Sequence, residues 1–165
     1  MRWIWIDRFL EFNPGVSATS VKNVSLAEEH LHDHWEDFPV MPFSLMIEGM
    51  AQTAGILVGQ ARGFREKVIL AKISKAQVAE PVLPGDQLHY RAEMVNLSDQ
   101  AASTHGTVLK NGREIGTIDL MFSHIDQNMA GVKFPEENFV FTGQFLRLLA
   151  GFVETAETSE ASAHG

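Results

Sequence analysis

The sequence predicts an α+β fold, with an antiparallel sheet carrying one buried helix on its face and an additional helix near the C-terminus. Three observations predict it. Phe43–Val58 is apolar on nearly every side, the mark of a buried helix. Around it lie five to seven short segments with the alternation and β-branched content of strands. Between two of them stands Asn111-Gly112, a two-residue hairpin signal of the kind that joins antiparallel neighbours.

Trp3–Phe12 is rich in aromatic and β-branched residues and reads as a strand; Asn13-Pro14-Gly15 is a turn, and Ser17–Leu26 alternates as its hairpin partner. Glu28–Pro42 reads as a loop crowded with titratable groups, because Pro39 and Pro42 oppose a helix. Pro42 then stands where proline opens helices, and the helix is expected over Phe43–Val58, with a polar, basic exit from Gly59 to Lys67. The strand pattern returns over Val68–Glu80, Gln87–Leu97, Ala101–Leu109 and Glu114–Ile125, with Pro81 and Pro84-Gly85-Asp86 as punctuation. Phe141, Phe145, Leu148, Leu149 and Phe152 fall at helical spacing, so a second helix is expected over Phe139–Phe152. We expect a single domain over residues 1–153, with a core at about 3–125, an extension at 126–153, and a flexible tail at 154–165 rich in Glu, Ala, Ser and Thr.

Composition narrows the function. The 165 residues are 45% apolar, which suffices for one core, and contain no cysteine, which excludes disulfides, thiolate metal sites and cysteine nucleophiles. A net charge of −8 argues against nucleic-acid binding. No uncharged apolar run reaches the roughly 18 residues of a membrane span, and Met1–Asp7 is too short and too soon charged for a signal peptide. A cytoplasmic protein with no membrane partner is the expectation.

Glu48 is the most telling residue. Between Phe43 and Val58 the long polar side chains are Glu48 and Gln52, four apart, so they share a face and can hydrogen-bond. A carboxyl group in apolar surroundings tends to keep its proton and can deliver it to a leaving group; the alternative is a Glu facing solvent at a helix edge. His30, His32 and His34 alternate, with Asp33 between the last two. The run H-L-H-D-H lacks one residue of the metal-binding H-x-H-x-D-H pattern, so no metal is expected, and one histidine of this loop acting as a general base is the better functional reading, against a solvated polar loop. Unpaired N–H groups at Phe43–Met46 open the helix and point at that loop. A base, an acid and backbone donors together suit proton abstraction beside a carbonyl.

The stretch from His34-Trp35 through Pro39-Val40-Met41-Pro42-Phe43-Ser44 to Ile47-Glu48-Gly49-Met50-Ala51-Gln52 resembles the active-site segment of the FabZ/FabA-type (3R)-hydroxyacyl-[acyl carrier protein] dehydratases, approximately G-H-F-P-x-x-P-V-M-P-G-V-L-x-I-E-A-x-A-Q. The fourteen-residue spacing from His34 to Glu48 fits without a gap. The resemblance runs over roughly residues 3 to 125 and takes in Pro81-Val82-Leu83-Pro84-Gly85-Asp86. It implies a hot-dog fold, in which the sheet wraps the central helix. It also implies a homodimer, often assembled into hexamers, whose active site takes the histidine from one subunit and the acid from the other. The substrate would be a 3-hydroxyacyl thioester on the phosphopantetheine arm of acyl carrier protein, or on CoA, with no metal or dissociable cofactor.

By that resemblance His34 removes the C2 proton, Glu48 protonates the departing hydroxyl, Gln52 orients Glu48, and Val40 helps position His34. The N–H groups at Phe43 and Ser44 would bind the thioester oxygen, and Arg62, Arg65 and Lys67, with Lys72 and Lys75, would offer the acidic carrier a basic patch. The departures from the pattern include four positions. Asp33 and Phe43 replace glycines, and Trp35-Glu36 replaces Phe-Pro. Phe43 is expected to fill part of an acyl tunnel, because glycine is what lets a carbonyl approach the backbone. A divergent or non-catalytic acyl-binding protein and a hot-dog acyl thioesterase are the alternatives, since one fold hosts several chemistries.

Overall fold

The computed structural model describes residues 3–33, 37–125, 140 and 143–149. Six strands form one antiparallel sheet: β1 (Arg8–Asn13), β2 (Ser17–Asn23), β3 (Val68–Val78), β4 (Gln87–Leu97), β5 (Ala101–Lys110) and β6 (Arg113–His124), in the order β1-β2-β4-β5-β6-β3. Helices α1 (His30–Asp33) and α2 (Phe43–Ala61) lie between β2 and β3, and α3 (Gly143–Arg147) follows β6. The sheet curls round α2, which touches β2, β3, β4, β5 and β6. This is the hot-dog fold.

The hairpins follow from local chemistry. Asn111 and Gly112 both take positive φ, 51° and 83°, and join β5 to β6 in the twist that antiparallel strands favour. Gly15, at φ 69°, closes the β1–β2 hairpin. The strand expected from Trp3 begins instead at Arg8. Backbone groups of Trp3 and Trp5 are taken instead by a side chain: Trp5 N–H donates to Gln52 Oε1 at 2.7 Å, and Gln52 Nε2 donates to Trp3 O at 3.1 Å. The second strand likewise stops at Asn23, where Asp7 accepts from Asn23 N and Nδ2.

The loop expected over Glu28–Pro42 contains one helical turn, α1. A turn over Ser25–Glu28 leads into it, with Ser25 N–H donating to Glu28 Oε2 at 3.2 Å and Ala27 N–H to Ser25 Oγ at 3.2 Å. Leu31, 2% exposed, anchors the turn in the core. Helix α2 opens at Phe43 after Pro42, as expected, but runs past Gly59 to Ala61. Its stop is Gly63, at φ 62°: Gly63 N–H donates to Gln60 O and Phe64 N–H to Gly59 O, both at 2.8 Å, a Schellman motif. Of the C-terminal helix expected over Phe139–Phe152, the described part is α3; the tail from 154 lies outside the described residues.

Two glycines bring helix and sheet together. A Cβ on Gly49 of α2 would stand 2.6 Å from the Tyr90 ring of β4, and one on Gly106 of β5 would stand 2.6 Å from Met50 Sδ. Met50, Tyr90, Leu57, Val58, Ile118 and Leu88 are completely buried around this contact. Thr53 is buried with them; its hydroxyl donates to Gly49 O at 2.8 Å, so Ser20 Oγ, 2.6 Å away, must donate to it. Every polar atom of that pair is thereby used on the helix face that meets β2.

Candidate active site

Glu48 lies one turn beyond the start of α2, on the face that looks toward β3 and β6. It is half-buried and lines a cleft of about 300 Å³ whose surface is mainly apolar. Gln52 and Ile56 continue the same helical stripe, while Leu70 of β3 and Phe122 of β6 form the opposite wall. Leu70 and Phe122 are register partners, so their side chains share the sheet face that looks at the helix.

Gln52 fixes Glu48. Its amide is buried and all its strong bonds are assigned: Oε1 accepts from Trp5 N–H, and Nε2 donates to Trp3 O and to Glu48 Oε1 at 2.9 Å. The backbone partners settle the amide's orientation, because an N–H needs the oxygen and a carbonyl needs the nitrogen. The hydrogen bond expected from the four-residue spacing is therefore present, with Gln52 as donor. Sequence reasoning missed Trp3 and Trp5 as its anchors; their place in an apparent strand concealed the role.

Val40, Phe43 and Ser44 gather elsewhere. They line a second depression, of about 510 Å³, with Pro42, Val78 and Glu80. Leu45 and Met46 N–H both use the Pro42 carbonyl, which leaves the Phe43 and Ser44 N–H groups as the donors at the mouth of the helix. The Phe43 side chain is 39% exposed and lies beside Val78 and Ala79. It does not line the cleft that holds Glu48 of the same chain. Positions 43 and 48 are five residues apart, hence roughly 140° round the helix, which separates their side chains. Within a single chain Glu48 and the helix mouth thus face different depressions.

At the second depression Glu80 receives both Arg113 guanidinium nitrogens, at 2.5 and 2.8 Å, and Lys110 Nζ at 2.9 Å. Arg113 and then Lys110 hold its carboxyl well below the ordinary range, at about 2, and Glu80 in turn raises Arg113. His34, the expected base, lies outside the described residues with Trp35, Glu36 and the Asp33 side chain. His30 packs edge-on against Trp5, and burial lowers its pKa; His32 Nε2 contacts Leu26 O at 2.5 Å. Among the described residues no three His, Asp or Glu side chains are placed to hold a metal ion.

The expected basic patch changes in composition. Lys67 is 6% exposed at the start of β3, where its carbonyl accepts Ile125 N–H, so it is not a surface docking residue. Arg62 is ion-paired with Asp99 at 2.9 Å. Arg65, Lys72 and Lys75 are exposed. No helix of the described residues is long and apolar enough to cross a membrane.

With this geometry in hand, comparison with known proteins is direct. A family described as "FabA-like domain" matches residues 3–119. The chain is 32% identical over 122 residues to a 3-hydroxyacyl-[acyl-carrier-protein] dehydratase FabZ of Halalkalibacterium halodurans, covering 73% of this chain and 87% of that one. It is 34% identical over 119 residues to the FabZ of a Hydrogenobaculum species, covering 70% and 80%. Among solved structures, the dehydratase heterocomplex ApeI:P from Xenorhabdus doucetiae superposes with a TM-score of 0.64 at 16% identity, covering 78% of this chain and 90% of that one. The TT0310 protein from Thermus thermophilus gives 0.53 at 19%, covering 71% and 90%. These two likenesses concern the fold.

Proposed function

The chain belongs to the FabZ/FabA-type dehydratase family, and from that premise we propose that it removes water from 3-hydroxyacyl thioesters carried by acyl carrier protein, giving trans-2-enoyl thioesters in cytoplasmic fatty-acid or related lipid or polyketide biosynthesis. The observation that carries this reading is the Gln52–Glu48 hydrogen bond in an apolar cleft. Gln52 occupies Glu48 Oε1 and leaves Oε2 as the oxygen that bears the transferable proton.

In the reaction His34 takes the proton from C2, and its electron pair forms the C2–C3 double bond. The C3–O bond breaks, and the hydroxyl leaves as water with the proton from Glu48 Oε2. Charge that builds on the thioester oxygen meets the Phe43 and Ser44 N–H groups, an interaction worth about 3 kcal/mol in comparable oxyanion sites. The reaction needs no metal or dissociable cofactor; the phosphopantetheine arm belongs to the substrate.

The two depressions support a shared site. The helix-mouth donors and the carboxyl open into different spaces of one chain, so a complete site needs a second copy. Strand β3 ends the sheet and offers an edge 11 residues long, with Ile69, Leu70 and Ile73 between 36% and 44% exposed. An apolar edge strand of this length is a natural pairing surface. We read the homodimer as forming along it, and the carrier as approaching through Arg65, Lys72 and Lys75.

The test is steady-state turnover of crotonyl and 3-hydroxybutyryl thioesters on acyl carrier protein and on CoA. The wild type is expected to interconvert them, with His34→Ala and Glu48→Gln each slower by roughly 10²- to 10⁴-fold. Equal rates in all three proteins, or release of free thiol without enoyl product, would overturn the reading.

A further inference from the structure

The cleft beside Glu48 has one wall from an unexpected place. Val140 lines it, although the family match ends at residue 119 and the last strand at His124. Farther along the chain, Leu149 is 1% exposed, and Leu146 and Leu148 pack against the core cluster. Val140 thus brings one described residue of the C-terminal extension to the cleft.

The cleft has a polar end and an apolar length. Glu48 and Gln52 supply the polar groups; Gly55, Ile56, Phe122 and Val140 supply apolar surface. From Glu48 to Ile56 the helix advances eight residues, about 12 Å. A linear apolar ligand with its reactive head at Glu48 fits this distribution. With about 300 Å³ in all, the space is small for a ligand site, so one wall side chain alters a substantial share of it. Gly55 leaves the helix side open: a Cβ there would meet Phe122 only at an ordinary 3.5 Å.

We propose that Val140, delivered by the C-terminal extension, is a specificity-determining residue that sets the length of acyl chain the cleft accepts. The inference deepens the dehydratase reading and rests on it for the identity of the ligand. A Val140 side chain against the cleft limits the apolar volume available beyond the reactive head. Removing its methyl groups lengthens the usable space, and enlarging the side chain shortens it. The extension then acts as an adjustable stop added to a common core.

The experiment measures binding separately from turnover. S-alkyl pantetheine thioethers of four to sixteen carbons are titrated into the full-length wild type, Val140→Ala and Val140→Trp. Intrinsic tryptophan fluorescence serves as the signal, since Trp3 lines the cleft. Val140→Ala should raise the long-to-short ratio of affinities by about tenfold or more, the discrimination that small apolar changes in a pocket produce. Val140→Trp should move the ratio the other way; if that variant does not fold, the alanine variant decides. Unchanged ratios in folded variants, or no chain-length dependence in the wild type, would overturn the proposal. Shifted binding ratios without any dehydration would instead overturn the dehydratase reading and leave Val140 as the determinant of chain length.

Discussion

Gln52 donates a hydrogen bond to Glu48 Oε1 at 2.9 Å while its own oxygen holds the Trp5 N–H at 2.7 Å. One buried amide therefore links the carboxyl of α2 to the chain's N-terminal segment. Gln52→Leu should remove both anchors. It leaves the buried Trp5 N–H unsatisfied, a cost of about 1–3 kcal/mol in denaturant unfolding. Turnover should fall at least tenfold, with the loss chiefly in kcat, because the carboxyl loses its orientation. A variant as stable and as active as the wild type would remove Gln52 from the account.

Gly49 and Tyr90 make the closest approach of helix to sheet. Gly49→Ala would place a methyl group 2.6 Å from a completely buried ring and should destabilise the fold by about 1–3 kcal/mol, despite alanine's better helix propensity. Tyr90→Leu in the same chain should recover part of the loss, and the double-mutant cycle measures how much. Additive effects would show that the two residues do not meet.

Glu80 makes stability depend on acid. Its carboxyl is held at about 2 by Arg113 and Lys110, against an ordinary value of 4.5. The folded state thus binds the proton less readily than the unfolded state. The contribution is fully present above about 4.5 and is lost as pH falls through about 2. Glu80→Gln should narrow the stability difference between neutral and acid solution, and Arg113→Ala should return the Glu80 titration, followed by carboxyl NMR, toward the ordinary range. An unmoved titration would separate Glu80 from Arg113.

Subunit mixing tests the shared site. Chains with His34→Ala and chains with Glu48→Gln should each be nearly inactive. Mixed after dissociation and reassembly, they should regain a substantial fraction of wild-type turnover, since one site of a mixed dimer then has both groups intact. Ile73→Asp, which charges the edge strand, should reduce assembly in sedimentation and turnover together. No recovery on mixing, in chains shown to have exchanged, would place the whole site in one chain.

The sequence made legible what is local. Pro42 marked the start of α2, Asn111-Gly112 the last hairpin, and the four-residue spacing the Glu48–Gln52 pair. What it concealed depends on partners far along the chain. Residues 3–7 read as a strand because their side chains suit one, yet Trp3 O and Trp5 N–H are satisfied by an amide more than forty residues away. Gly59 looked like the end of α2, but it packs in the interior, and the stop is Gly63. Lys67 read as surface because lysine usually is, yet it is buried at the start of β3, where its carbonyl accepts Ile125 N–H. Val140 lay inside the expected C-terminal helix, but helical spacing gave no sign of the cleft it would line.

The two glycine contacts place Glu48 by remote control. Gly49 of the helix admits Tyr90, and Gly106 of the sheet admits Met50. One notch is cut in each surface, and each receives a bulky side chain from the other. Such a pair resists both sliding and rolling of the helix, as a tenon does in a mortise. The angle at which the carboxyl enters its cleft is thus dictated from β4 and β5, strands that contribute nothing to its walls. Substitutions at Tyr90 or Gly106 would tune the chemistry while leaving every reacting group in place.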